Sequence, residues 1–164
     1  MSPADTPIFS RIQVLWLATL LISSHPQFLH GQFASPLYRY SAVPLIVHTP
    51  SGSKIHLKTV IVSKQEDLRQ GLMHIRHLPA NVTMLFLYER PRIASMWMKN
   101  TYIPLDMWWV DSNMTIRHIE HRTTPHSLES IGYAKPVRAV VEINAGLSRL
   151  LGVSVGSKVE FGAR

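Results

Sequence analysis

The densest chemistry in this sequence lies in Trp97-Met98-Lys99-Asn100-Thr101-Tyr102-Ile103-Pro104-Leu105-Asp106-Met107, where an ammonium, two neutral hydrogen-bonding side chains and a carboxylate fall close together. Asp106 is followed by Met107-Trp108-Trp109-Val110, so its carboxylate enters an apolar strand. Desolvation there must be offset by a cation or by several N–H donors. Arg69, Arg76 and Lys99 are the cations on offer. One reading is a ligand pocket in which Lys99, Asn100, Thr101 and Asp106 hold a polar molecule while Arg69 and Arg76 grip an anionic group, a task that suits guanidinium. The other is structural: Asp106 sits in a buried ion pair or caps the Asn100-Thr101 turn. Glu142, inside Ala139-Val140-Val141-Glu142-Ile143, is a second carboxylate on an apolar strand. Asp106 or Glu142 could serve as a general acid or base. Pairing of Glu142 with Arg69 or Arg138 is the structural alternative.

His74 with His77, and His118 with His121, each form an H-x-x-H pair that could suggest zinc or copper. HExxH is absent, and the second pair ends a strand, where i and i+3 point to opposite faces. The reading is therefore no metal and no cofactor. Trp97, Trp108 and Trp109 could form a sugar platform, but adjacent 108 and 109 must face opposite ways, one into the core and one partly exposed. No G-x-S-x-G, G-x-G-x-x-G or Walker loop occurs. The absence of cysteine removes thiol nucleophiles, redox pairs and Cys-ligated metals. Whether the chain is an enzyme stays open.

The elements that must position these residues are short. Alternation predicts strands at Leu45–His48 and Ile55–Val62 around the turn Pro50-Ser51-Gly52-Ser53. Ser63 and Glu66 have capping-box spacing before a helix Lys64–Met73 that ends near Gly71. Strands follow at Met84–Tyr88, broken by Pro91, then Ser95–Lys99, Leu105–Val110 and Thr115–Ile119. The segment 121–135 reads as a long loop. Ala139–Ile143 is a strand, Asn144 an N-cap for a helix Ala145–Leu151, and Lys158–Phe161 a last strand. The fold class is α+β, mostly β: a compact, partly closed, antiparallel barrel-like domain with two short helices.

Three stretches carry a family resemblance: Glu66 to Pro79 with Arg69-Gln70-Gly71-Leu72-Met73, then Met84-Leu85-Phe86, then Trp97 to Met107. They resemble the domain of unknown function 192 family, marked by G-L-M-x-x-x-x-L-P, G-M-L-F and W-M-K-N-T-x-I-P-L-D. Val141-Glu142, Ala145-Gly146 and the Gly152 to Gly156 turn resemble its closing segment, so the likeness spans about residues 43 to 161. It implies a small β-rich fold with short helices, often behind a signal peptide, and no assigned function. Thr83 stands where the family has glycine, and Ser157 where it commonly has aspartate.

Before that region, Arg11 precedes the apolar stretch Ile12–Ile22, followed by small residues at Gly31 and Ala34. This is the order of a signal peptide, and a helix of that length would span about 17 Å, short of a hydrocarbon core of about 30 Å. Residues 1–34 read as a leader and 35–164 as one globular domain, periplasmic or extracellular after cleavage, or membrane-anchored if the leader is kept. Arg11 and Asp5 cancel, so the domain carries the whole net charge of +7. Its basic residues are scattered rather than gathered on one element, which argues against nucleic acid. The partner expected is an anionic small molecule or envelope component, with at most peripheral membrane association. A purely structural or interaction role, with the charged motif residues paired internally, is the remaining alternative.

Overall fold

The computed structural model describes Leu37 and residues 40–162; the proposed leader lies outside them. Strands β1 (Ala42–His48), β2 (Lys54–Val62), β3 (Val82–Arg92), β5 (Leu105–Val110), β6 (Ile116–Glu120), β8 (Val137–Asn144) and β9 (Lys158–Phe161) form one sheet in the order β6-β5-β8-β3-β2-β1-β9. The sheet curls. Thr115 bridges Lys158, Ile116 N–H donates to Ser157 O and Val159 N–H to Met114 O, so the two edges meet at one end and the barrel is partly closed. A two-stranded ribbon of β4 (Ser95–Met96) and β7 (Ile131–Gly132) stands apart from it. Neighbouring strands run antiparallel except β2 and β3, which are parallel and linked by a crossover through helix α1 (Gln65–Gln70).

Both faces of this sheet are covered. Inside the curl, Leu45, Val47, Leu85, Trp108, Val141 and Ile143 pack under helix α2 (Leu147–Leu150). On the outer face, Met84, Phe86, Met107, Trp109 and Val140 pack against Leu72, Ile75, Leu78 and Met98 from the segments after α1 and β4. Trp108 and Trp109 do face opposite ways, as expected of neighbours on a strand. Both are fully buried, however, because neither face is open to water, and this corrects the partly exposed partner. Each indole N–H finds an acceptor: Trp108 on Ser148 Oγ at 2.8 Å, Trp109 on Ala94 O at 3.0 Å.

Several local expectations change. α1 stops at Gln70 because Gly71 adopts φ +47° with ψ −136°, a left-handed backbone open to glycine, and a Cβ there would lie 3.1 Å from the Phe86 ring. The capping box does not form: the helix starts one residue after Lys64, leaving Ser63 outside the cap position. Pro91 does not end β3; it falls where the β3–β8 register shifts between Leu87 and Arg92, so its missing N–H breaks no regular ladder. The expected Ser95–Lys99 strand shortens to β4, and β7 emerges inside the long loop. Asn144 stays in β8 and donates Nδ2–H to Leu78 O at 2.7 Å, so it is not the cap of α2. Thr83 is fully buried and turns its hydroxyl to Lys58 O, and Ser157 Oγ accepts from Ser154 N–H, so both departures from the family pattern keep a local hydrogen bond.

Candidate functional site

The β5–β8 register separates the two carboxylates. Asp106 lies opposite Ile143 and shares its face, inside the curl; Glu142 lies opposite Met107 on one side and Met84 on the other, on the outer face. They sit on opposite sides of one sheet and cannot work on the same substrate atom.

Asp106 is fully buried. Its Oδ1 accepts the Arg122 N–H at 2.9 Å, and its Oδ2 accepts the N–H groups of Gly146 at 3.0 Å and Ser148 at 3.1 Å. Those last two are unpaired donors at the start of α2, so the carboxylate caps a helix forty residues away in sequence. Burial pushes the carboxyl upward, but the Arg122 N–H, the Ser148 hydroxyl and the Gly146 and Ser148 N–H groups outweigh it and hold the pKa below the usual 3.8. His121 Nδ1 lies 3.7 Å from Oδ2 with no hydrogen bond. The structural reading of Asp106 had the right principle and the wrong target: it caps α2, not the Asn100-Thr101 turn.

Glu142 is also buried, at 4% exposure, but its Oε2 has no hydrogen-bond partner. Neither Arg69 nor Arg138 pairs with it, and Arg138 Nη1 is itself buried without a partner, which overturns the internal ion pair weighed above. Burial alone drives the Glu142 carboxyl up to about 8. Its side chain borders a cavity of about 70 Å³ with Arg69, Gly71 and Met73 from α1 and the turn after it, Phe86 of β3, and Met96, Trp97 and Thr101. An adjoining space of about 230 Å³ shares Arg69, Met96 and Trp97 and adds Gln65, Tyr88 and Arg92. The Tyr88 hydroxyl is raised to about 12, mainly by burial, with Arg92 lowering it and Glu142 raising it.

The expected ligand residues are thus split. Arg69 and Thr101 reach the Glu142 cavity. Lys99 stands at its edge, its Nζ 5.1 Å from the ring centroid of Trp97, which is 48% exposed. Asn100 is exposed and holds φ +54°, and its carbonyl accepts His74 N–H at 2.8 Å, tying the Gly71-Leu72-Met73 turn to the Lys99-Asn100-Thr101 turn. Arg76 stacks 4.6 Å over Tyr102, which also meets His74 and His126. Asp106 is on the far side of the sheet. His118 lies between Trp109 and Tyr133, away from His121. Among the described residues no three of His, Asp and Glu gather as a metal-holding set. Tyr88 and Met96 were not singled out in the sequence; only the strand register, which places Tyr88 on the same face as Met84 and Glu142, could have found them.

Comparisons with known proteins agree with this architecture. A protein from Sinorhizobium meliloti 1021, described as a candidate transcription regulator, is 38% identical and superposes with a TM-score of 0.73 over 74% of this chain and 95% of its own. A protein of unknown function from Novosphingobium aromaticivorans DSM 12444 is 32% identical, with a TM-score of 0.73 over 77% of this chain and 89% of its own. No curated protein matches. The profile of DUF192, described as uncharacterized ACR, matches residues 46–161. That span takes in α1, every strand from β2 to β9 and both buried carboxylates, and the chain belongs to the DUF192 family.

Proposed function

We propose that this chain is a small envelope domain that binds a polar molecule with an anionic group in the cavity beside Glu142. The observation that carries the reading is the buried Glu142 carboxyl, whose Oε2 has no partner, at a cavity that Arg69 also lines. A buried polar atom left without a partner costs about 1–3 kcal/mol unless something else meets it. Arg69 supplies the anion-binding group, Thr101 is a second polar side chain there, and exposed Trp97 offers a flat apolar surface at the rim. Titration of the purified protein with a panel of small carboxylates, phosphate esters, amino acids and sugar acids tests this by calorimetry. At least one compound is expected to bind saturably and to bind at least tenfold more weakly to Arg69→Met, with an unchanged circular dichroism spectrum. Failure of every class to bind would sink the reading.

A second reading has its own support. A carboxyl held near 8 has both protonation states within reach at neutral pH, which is what a general acid or base requires. Turnover of a bound panel compound, lost in Glu142→Gln, would favour an enzyme over a binding domain.

The envelope location rests on the order Arg11, Ile12–Ile22, Gly31 and Ala34. Among the described residues no helix is long and apolar enough to cross a membrane. Mass spectrometry of the protein from its native host is expected to find an N-terminus just after Gly31 or Ala34. An intact Met1 on protein from the cytoplasmic fraction would refute export.

A further inference from the structure

The Glu142 cavity presents two groups that ask for opposite things. Glu142 Oε2 is buried and unpartnered, and the carboxylate it belongs to would be satisfied by a cationic donor. Arg69 lines the same cavity from α1 and forms no ion pair with Glu142, so its guanidinium is available to an anion. A purely anionic ligand answers Arg69 and leaves the Glu142 carboxyl beside another negative charge or without a partner. A simple amine answers Glu142 and adds a cation beside Arg69. A molecule that carries both charges meets both, and a cavity of about 70 Å³ bordered by both residues has room for an ammonium and a carboxylate on one carbon. The adjoining space of about 230 Å³ leads past Leu68, Met96, Trp97 and Tyr88, surfaces suited to an apolar or aromatic tail, with Gln65 and Arg92 at its polar edge.

We propose that the ligand is a free α-amino acid with an apolar or aromatic side chain, its ammonium on Glu142, its carboxylate on Arg69 and its side chain along Trp97 and Tyr88. This rests on the cavity being a ligand site, and it adds the ligand's chemical class. Binding has a proton balance: the amino acid arrives with its ammonium already charged, the neutral Glu142 carboxyl ionises beside it, and its proton leaves to solvent. The titratable and charged groups around Glu142 are Arg69 from α1, Tyr88 and Arg92 from β3, and Arg138 of β8 itself, whose buried Nη1 has no partner; β5 places only Met107 opposite it, and the 96–101 segment adds the neutral Thr101 and, at the rim over Trp97, Lys99. Tyr88, raised to about 12 mainly by burial, keeps its proton across the neutral range, so the released proton comes from Glu142.

Calorimetry with L-phenylalanine, 3-phenylpropionate and 2-phenylethylamine separates the possibilities, because the last two each lack one charge. L-phenylalanine is expected to bind at least tenfold more tightly than either. Measured at pH 6.5 in buffers of different ionisation enthalpy, it is expected to release close to one proton per site. Glu142→Gln is expected to lose both the amino-acid preference and the proton release while staying folded. Equal binding of 3-phenylpropionate, with loss in Arg69→Met, would overturn the amino-acid assignment and leave the cavity as an anion site. Binding of L-phenylalanine without proton release, or unchanged in Glu142→Gln, would overturn it as well. No binding by these three, with some other panel class bound, would overturn the assignment alone; no binding by anything would overturn both proposals.

Discussion

Glu142→Gln is expected to make the protein more stable at alkaline pH, by about 3–5 kcal/mol at pH 9, while changing little at pH 4. The carboxyl is neutral in the folded protein up to about 8, whereas the unfolded chain ionises it near its ordinary 4.5. Between those values the native state holds a proton that the unfolded state has released, so raising the pH favours unfolding. Below 4.5 both states are protonated and the penalty vanishes; above 8 both are ionised and it is constant. Glutamine has nearly the same shape and no charge to desolvate, so its stability should be flat across this window. Urea unfolding of both proteins at pH 4, 6.5 and 9 measures the divergence. Parallel curves would show that Glu142 is not desolvated in the folded state, which removes the physical basis of the site. The variant is also a clean probe of function, since a protein that gains stability and loses its ligand has not lost it by unfolding.

A residue whose burial destabilises the fold points to a reason outside the fold. Asp106 and Glu142 look alike in the sequence, each a carboxylate within an apolar strand, and the structure assigns them opposite characters. Both oxygens of Asp106 accept backbone N–H groups, three in all, and the carboxylate contributes to folding. Glu142 has an oxygen with no partner and a cavity beside it. Nothing in the spacing of either stretch distinguishes them, because the partners of Asp106 come from residues 122, 146 and 148 and the cavity beside Glu142 is built by α1 and the 95–101 segment.

What the sequence conveyed well was set by local chemistry. Leu105–Val110 and Lys158–Phe161 match the observed strands, and the turn after Pro50 joins β1 to β2. Between the strands expected at Leu105–Val110 and Thr115–Ile119, Asp111 Oδ1 accepts the Asn113 and Thr115 N–H groups and closes the turn. Misreadings arise where a distant group settles a local choice. Asn144 would have been a good cap, but β8 continues through it and Asp106 caps α2 instead. The Trp108-Trp109 pair suggested one exposed face because a two-sided covering comes from α1, α2 and their flanking loops, which no periodicity within β5 reports. The same limit applied to the site: Arg69 and Thr101 reach the cavity and Arg76 does not, since the turns at Gly71 and Asn100 aim them differently.

Asp106→Asn is expected to have the larger cost, about 3–5 kcal/mol of stability and a fall in Tm of about 10 °C or more. Three backbone N–H groups converge on the carboxylate, and an amide can meet at most part of that set with its single carbonyl oxygen. Its NH2 would then point donors at donors, and the start of α2 would lose its cap. The dependence on acid gives an independent check. Because the folded carboxyl titrates below its ordinary 3.8, its contribution is complete at higher pH and is lost as the pH falls through the folded value. Wild type should therefore lose stability below about pH 4 more steeply than Asp106→Asn, and the two proteins should converge in acid. A thermal melt series from pH 2.5 to 7 measures both effects. If Asp106→Asn melts with wild type at pH 7, the carboxylate is not the anchor of α2, and its place among ligand-contacting residues would have to be reconsidered. If it melts early yet still binds the panel compound taken up by wild type at low temperature, the division of labour holds: the inner face of the sheet fixes the fold, and the outer face meets the ligand.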